Sequence, residues 1–560
     1  MGLRAERMVK VAVIGSGLAG LTAAHLLCSK ANDIRCQDGV DFEVHLFEKN
    51  ESLGMDASSI SVPVPSLDAK DDHSIRINVP MRSFQAGYYP QLMALYKSLG
   101  VAFQPANFTY SFSHLLRTSS TIGKFEEQRQ IIAYMLYNGS SGRRGISVPA
   151  ILQDFAGGRV RPKGYLLTSH DRFLAGAAWI WTMALFVLSS LQLLFCYLWL
   201  ISYSIPLFRS RATSCMSFID WADESAPSNF LARWLGLDTV WDAFVTSVLV
   251  PLFSAVCTAP ESMVLAHPVE EFLDYIWLTL GTNHYVTVHG VRDVVARLSL
   301  CVRHVHLNTP VSALRADLDD PALISVHTGD DLHTNVLSGF NHVVFATEAP
   351  EAAYLLQGYA ASLPSVMNAK CRAVEKQVHC LRRFAYTKNI VVNHRDASLL
   401  PRDLRDYRDL NFVVSQGSHL LHDTVDGSAC PIVSSAFTMA TQIIALGKTN
   451  AVVYQTTNPV FSPSENTILS VTKLDRAVLT LQSKGAVRDL IDTGGRHWWE
   501  TTGRLGPLQG AGTAGPGIWL CGSYAYPGIP LLEGCVASAR NVVEQGIWAQ
   551  EGVTKRDYLW

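Results

Sequence analysis

Val9-Lys-Val-Ala-Val-Ile14, then Gly15-Ser16-Gly17-Leu18-Ala19-Gly20, then Leu21 to Leu27: on this stretch the reading of the fold turns. A short apolar run, a glycine turn and a second apolar segment read as strand, tight turn and helix. Each glycine has a physical task. Gly15 permits the sharp turn, Gly17 lets the backbone approach a pyrophosphate, and Gly20 lets the helix pack closely on the strand. The helix start at Leu18 and Ala19 presents unpaired N–H groups and a positive dipole end to phosphate. Phe42 to Phe47 is the next strand, and Glu48 at its end, followed by Lys49, is placed to accept hydrogen bonds from a ribose diol. Its separation from Gly20 exceeds the usual spacing of about 20 residues, which the polar stretch Ser29 to Asp41 accounts for. These features agree on a dinucleotide without choosing between FAD and a nicotinamide.

The chain has 560 residues, 48% apolar and 17% charged, with a formal net charge of −2. That size suits a large two-lobed enzyme, and the composition excludes a disordered chain and a general nucleic-acid binder. The eleven cysteines never form a Cys-x-x-Cys pair, which fits reduced thiols in an intracellular compartment and predicts no zinc site. The opening Met-Gly-Leu-Arg-Ala-Glu-Arg has no apolar region of a signal peptide, so cleavable secretion is not expected. Helical patterns fill Tyr89 to Leu99 and much of 214–300, and there is no internal repeat.

Ile518-Trp-Leu-Cys-Gly522-Ser523-Tyr524, then Gly528 and Leu532-Glu533-Gly534-Cys535-Val-Ala-Ser538, resembles the closing motif of the flavin-containing amine oxidase superfamily. The resemblance implies a strand ending beside the ribityl chain and a helix start aimed at the flavin pyrimidine, which selects FAD over NAD. Thr309-Pro310-Val311 resembles the strand whose backbone meets adenine. Val343 to Thr347 resembles the returning strand beneath the nucleotide, and Arg82 to Pro90 the loop beside the isoalloxazine. Val392-Asn-His394-Arg-Asp396, Leu399-Leu400-Pro401, Asn411 and Tyr454 to Pro459 are similar to a narrower branch of amine-oxidase-like flavoproteins that includes the domain joined to plant cyclopropane fatty acid synthases. Three departures stand out: Met55 replaces a second glycine after Gly54, Ser523 replaces an acidic residue, and Leu531-Leu532 stand where that branch tends to carry a histidine. No cysteine occupies the position at which monoamine oxidases attach the flavin, so FAD is expected to be non-covalent.

The fold implied is α/β: an FAD-binding Rossmann-type domain with an interleaved α+β substrate lobe and an apolar helical insertion. Residues 1–100, 286–350 and 501–560 are expected to build the FAD domain. Residues 101–285 are expected as the helical part of the substrate lobe and 351–500 as the rest of it. The FAD site is expected to use Gly15, Ser16, Gly17, Leu18, Ala19, Gly20, Glu48, Lys49, Arg82, Val311, Thr347, Gly522, Ser523, Glu533, Gly534 and Cys535.

Residues 173–208 contain no Asp, Glu, Lys, Arg or His, a run longer than the roughly 20 residues that span a bilayer. Both flanks build one domain, so a single crossing is excluded. A hairpin of two short helices or a segment dipping into one leaflet is expected, with a buried helix pair or oligomer contact as the bland alternative. Arg172, Arg209 and Arg211 at its edges fit two cytosolic flanks. The expectation is an intracellular, membrane-associated protein with a small hydrophobic substrate.

The implied chemistry is hydride transfer from a substrate C–H to flavin N5 by an oxidase, dehydrogenase or desaturase. Alternatives are a redox-neutral isomerase of a fatty acyl chain, an amine oxidase, and a non-catalytic FAD-stabilised membrane partner. His394 with Asp396 reads either as an acid/base pair or as a polar turn between strands. Trp498-Trp499 reads either as a cavity wall or as core. Lys370 and Lys376 are candidates for a lysine beside N5, without a supporting motif. His304 and His306 share a strand but lack a third ligand, so no metal site is expected.

Overall fold

A computed structural model describes residues 7–33, 39–64, 74–118, 128–139, 144–157, 169–329, 335–415, 437–447, 451–492, 503–511 and 517–553. The first apolar run forms β1 (Arg7–Ile14), and the glycine turn leads into α1 (Leu18–Asp33) and on to β2 (Val40–Phe47). The chain then leaves this sheet. After α2 (Pro90–Ser98), β3 (Tyr110–Thr118), β4 (Gln128–Tyr137) and β5 (Ile146–Ser147) begin a second sheet. The helices α3 (Ala150–Gly157), α4 (Ser169–Ser204), α5 (Leu237–Phe244), α6 (Val250–Cys257) and α7 (Val269–Thr279) follow. β6 (His304–His306) and β7 (His342–Phe345) return to the first sheet, which α8 (Ala349–Ser362) and α9 (Asn368–Leu381) cover. β8 (Ala385–His394), β9 (Leu410–Ser415), β10 (Met439–Ala445), β11 (Val452–Thr457) and β12 (Ile468–Val478) complete the second sheet. β13 (Gly517–Leu520) and α10 (Leu532–Asn541) close the first.

The first sheet has the order β6-β2-β1-β7-β13, and every pairing in it is parallel. A parallel sheet needs both faces covered, so its strands read as apolar runs. All four residues of β7 and all four of β13 are buried. On one face Phe345 and Val343 pack with Leu356, Tyr359 and Val378 of α8 and α9. On the other, Val13 and Val344 pack with Leu21 of α1 and Val536 of α10. The architecture is therefore the interleaved α/β arrangement expected, a Rossmann-type domain assembled from separated segments.

The second sheet has the order β12-β8-β11-β10-β9-β3-β4-β5. Here the structure departs from the expectation of a helical segment over 101–285, because β3 and β4 are a long hairpin within it. β3 pairs in parallel with β9, Ser111 beside Asn411, residues 300 apart in the chain. Ser111, Phe112 and Ser113 are all buried, so the strand lacks the polar-out alternation by which a half-buried strand is recognised.

α4 also corrects an expectation. It is one unbroken helix of 36 residues, about 54 Å long, and not a hairpin. Between 173 and 205 there is no proline, and Gly176 alone cannot turn the chain. The helix lies against α3, α5 and α7. Along one face Thr182, Cys196, Leu200 and Ser204 are buried, whereas Ile180, Trp181, Leu188, Leu191 and Leu198 are each more than half exposed. The segment Leu237–Cys257 is also long and apolar enough to cross a membrane, but Trp241, Phe244, Leu249 and Phe253 within it are buried in the main core.

Between α5 and α6 the helix widens to a π-turn over Val245–Leu249, for which Pro251 supplies the cause. Proline has no N–H, and its ring would clash with the carbonyl four residues earlier. That carbonyl, Ser247 O, accepts instead from the Tyr134 hydroxyl of β4 at 2.5 Å. The bond ties the hairpin to the helix that walls the cavity described below. Tyr134→Phe is expected to cost about 1 kcal/mol in urea unfolding. The cost should shrink in a Pro251→Ala background, where residue 251 regains an N–H; an equal cost in both backgrounds would show that Pro251 does not create the acceptor.

Candidate functional site

At Gly15 and Gly20 the glycine turn is held by contacts that leave no room for side chains. Gly15 has φ +97°, and a Cβ on Gly20 would lie 1.9 Å from Gly15 O. A Cβ on Gly17 would meet nothing within 4 Å, so the turn faces open space where the N-terminus of α1 points. Leu18 and Ala19 are buried in the first turn of that helix. Ser16 is buried, accepts from Gly54 N at 2.7 Å and donates to Glu48 Oε2, while Glu48 Oε1 accepts from Asn50 N at 3.0 Å. Glu48 thus braces the turn as well as standing at the end of β2. Lys49 beside it is exposed.

Met55, the departure from a glycine pair, has φ +59°. The backbone keeps the left-handed conformation that glycine favours, and burial of the Met55 side chain offsets a strain of about 1–2 kcal/mol. Thr309 N–H bonds to Glu48 O at 2.8 Å, which sets Val311 close beyond the end of β2. At the end of β7, Thr347 Oγ1 is buried without a hydrogen-bond partner, and its methyl lies 3.4 Å from where a Gly15 Cβ would be. An orphaned hydroxyl at the glycine turn fits a nucleotide that supplies the missing partner.

The C-terminal motif forms a second helix start beside the first. Gly522 has φ +150°, and a Cβ on Gly534 would lie 2.8 Å from Ser523 O, so the loop after β13 folds tightly onto α10. The N-cap Leu531 offers no side chain to the first N–H groups. α10 packs against α1, and both helices follow the C-terminal ends of parallel strands, where ligands of open α/β sheets bind. Glu533, in the first turn of α10, turns its carboxylate to α2 and accepts from Gln91 N at 2.9 Å and Leu92 N at 3.0 Å. It thereby caps α2, whose own N-cap Tyr89 makes no side-chain bond. Burial pushes the Glu533 carboxyl up to about 7, against the two N–H donors.

A cavity of about 200 Å³ opens at Leu531 and Leu532, at the start of α10. The loop Pro80–Gln85 contributes Arg82, α6 and its end contribute Val256 and Thr258, and the second sheet contributes Phe412, Gln455 and Arg476. Arg82 Nε has no hydrogen-bond partner, and burial next to Arg476 pushes its guanidinium down to about 10. Burial also lowers Arg476, with the Cys535 thiol nearby, and burial pushes that thiol up to about 11. His284, on the strand His284–Thr287, is held down to about 4 by burial and is neutral at pH 7. Residues Thr258, His284 and Arg476 were not read from the sequence as site residues, for they lack a motif and converge from separate elements.

Other candidates fall outside this cavity. His394 is fully buried in the second sheet; its Nδ1 accepts Asp396 N–H at 3.2 Å, so Nε2 donates to Thr456 Oγ1 at 2.7 Å. The Asp396 carboxylate accepts from Ser398 N and Ser464 N, each at 2.9 Å. These are the bonds of a polar turn at a strand end, and neither residue lines the cavity. Lys370 is buried and Lys376 exposed on α9, and neither lines the cavity either. Trp498 and Trp499 lie outside the described residues. The absence of a third ligand beside His304 and His306 is corrected: β6 pairs with β2, and Glu43, His45 and His304 offer atoms within 4.8 Å of one another. His45 and His304 stack face to face, with centroids 4.5 Å apart, and His45 is already bonded to Glu43 and His306.

A larger cavity, about 610 Å³, lies at the C-terminal end of α4. Ion pairs of Lys484 with Glu271 (3.0 Å) and of Arg209 with Asp274 (2.5 Å) wall it. Arg209 and Lys484 are thus paired with carboxylates, unlike the two arginines of the smaller cavity.

Residues 13–99 match the NAD(P)-binding Rossmann-like domain family. No curated protein matches the sequence. Among solved structures, cyclohexylamine oxidase from Brevibacterium oxydans is similar at 12% identity and TM-score 0.47, with 97% of this chain and 99% of that one covered. An oxidoreductase from Methanosarcina mazei is similar at 10% identity and TM-score 0.47, covering 96% and 100%. A redesigned putrescine oxidase is similar at 12% identity and TM-score 0.46, covering 97% and 99%. The matched stretch, residues 13–99, contains the glycine turn, α1 and β2.

Glu533 makes a pH-dependent prediction. Its folded value of about 7 exceeds the ordinary 4.5, so the native state holds the extra proton between these values. Its contribution to stability is full below pH 4.5 and is lost as pH rises to about 7. Glu533→Gln keeps an acceptor without the charge. The difference in unfolding free energy between wild type and variant should change by on the order of 2–3 kcal/mol between pH 4.5 and 7 and level off above about pH 8. A difference that stays flat across this range would contradict the raised value.

Proposed function

We propose that the chain is an FAD-dependent oxidoreductase acting on a lipophilic substrate at the surface of a membrane. The reading rests above all on two helix N-termini, α1 and α10, at the C-terminal ends of strands in one parallel sheet, with a cavity at the second. A mononucleotide needs one such end. A cofactor that begins at Glu48 and extends past Gly17 to Leu531 and Leu532 uses both, and the resemblance of the Gly522 to Gly534 segment makes it FAD. The glycine turn, Glu48 and Thr347 would hold the nucleotide, and the start of α10 with Arg82 would face the flavin. Bound there, FAD supplies the hydride acceptor. The chain's own part is positioning and exclusion of water: the cavity wall includes Phe84, Phe108, Tyr110, Phe412 and Leu252. His284 stays uncharged beside them.

The membrane part of the reading is supported by α4. An exposed apolar face along a helix this long is an expected contact with lipid or protein. The neighbouring helix Phe230–Trp234 also exposes Phe230 and Trp234, at 88% and 74%. A helix whose other face rests on the folded body suits insertion into one leaflet, parallel to the surface.

Two experiments test these readings. Purified protein is expected to be yellow, with visible absorption of bound FAD. Gly17→Ala, which has space for its methyl in the protein, should release most of the FAD while the melting temperature of the cofactor-free protein stays unchanged; a colourless protein that cannot be reconstituted with FAD would sink the proposal. In liposome co-sedimentation, the triple substitution Trp181→Ser, Leu188→Ser, Leu191→Ser should lower bound protein at least about tenfold, since each buried apolar side chain contributes about 1.5–3 kcal/mol. Unchanged binding would remove α4 from the membrane contact.

A further inference from the structure

The cavity at the start of α10 contains two guanidinium groups and no carboxylate. Neither Arg82 nor Arg476 forms an ion pair among the described residues, whereas in the larger cavity Arg209 has Asp274 and Lys484 has Glu271. Two like charges in a half-buried pocket repel one another and lose part of their hydration, a cost that a native structure retains when something else completes the site. Arg476 is also held deliberately. Its Nε donates to Thr258 Oγ1 at 3.2 Å, and Thr258 has φ +48°. A β-branched residue in the left-handed region is strained by about 1–3 kcal/mol, and such strain persists where surrounding structure imposes it, most often at functional sites. With Nε fixed, the terminal nitrogens of Arg476 make no hydrogen bond to a described residue.

We infer that Arg476, assisted by Arg82, binds the anionic head of the substrate, a carboxylate on an otherwise apolar molecule. The inference rests on the reading of this cavity as the substrate site of a flavoprotein and names its substrate class. Arg82 comes from the loop Pro80–Gln85 and Arg476 from β12, so the loop arginine can serve the cofactor and the sheet arginine the substrate. A guanidinium fork matches a carboxylate in shape and charge. A protonated amine would meet two cations in a medium of low dielectric constant and be repelled. The aromatic and aliphatic wall accepts the rest of the molecule.

Isothermal titration calorimetry on the full chain, with octanoate, octanamide and octylamine as probes, tests the head group. Octanoate is expected to bind at least tenfold tighter than the other two. Arg476→Gln should lose at least tenfold in octanoate affinity with the visible flavin band and melting temperature retained, and Arg476→Lys should recover part of it. Octylamine or octanamide binding as tightly as octanoate, or an Arg476→Gln variant that binds octanoate normally, would overturn the assignment. The probe series on the wild-type protein stands even if a variant misfolds. A colourless protein that selects octanoate would overturn the flavin reading and leave the head-group preference standing; a yellow protein without that preference would do the reverse.

Discussion

The 1.9 Å approach between Gly15 O and the position a Gly20 side chain would take is the constraint on which the rest depends. It lets α1 lie flat against the parallel sheet with its N-terminus beside the end of β1. The strand order β6-β2-β1-β7-β13 then puts β7 and β13 next to β1, and α10 packs alongside α1 with its own N-terminus at the same edge. A bulkier residue at Gly20 would lift α1 from the sheet and move both helix starts. Ser16, Glu48 and Gly54 brace the same turn from the other side, so the glycine turn is ordered by the protein's own contacts, and little binding energy would go into ordering it for a ligand.

A second layer of design concerns charge. In the larger cavity, Arg209 and Lys484 are paired with carboxylates of α7, and the pairs join α7 to the segment just past α4 and to the helix Leu481–Leu490. In the smaller one, two guanidiniums face an aromatic pocket unpaired. Low dielectric makes both arrangements strong in opposite senses: the first fastens elements together, the second stores an unfavourable charge that an anion relieves. The strained Thr258 and the π-turn before Pro251 belong to the same wall. Each is a local departure from regular geometry, sustained by long-range contacts from β12 and β4.

The insertion and the cavity are linked through the same helices. α4 rests on α5 and α7, and Arg209, just past the end of α4, pairs with Asp274 of α7. α7 also supplies Tyr275 to the small cavity and Asp274 to the large one. A contact made by the exposed face of α4 therefore acts on elements that touch both cavities, within one packed core.

The glycine turn, β1, α1, β2 and the closing Gly522 to Gly534 segment were legible in the sequence because each is a local pattern: periodicity, turn chemistry and a helix start lie within a few residues of one another. The same locality marked 173–208 as apolar, since composition alone reveals a face that water does not favour. Tertiary structure decided the rest. Whether that run is a hairpin or a single helix depends on what supports it. Ser111 joins Asn411 across 300 residues, His45 joins His304 across a strand pairing, and Glu533 caps α2 from the far end of the chain. Arg82, Thr258 and Arg476 share a cavity only because two sheets and a helix converge there. His394 and Asp396, adjacent in sequence and chemically suggestive, turned out to serve a strand end. Local pattern fixes which backbone conformation a segment prefers, whereas a site is made by side chains meeting across elements, and that meeting is written in packing rather than in spacing.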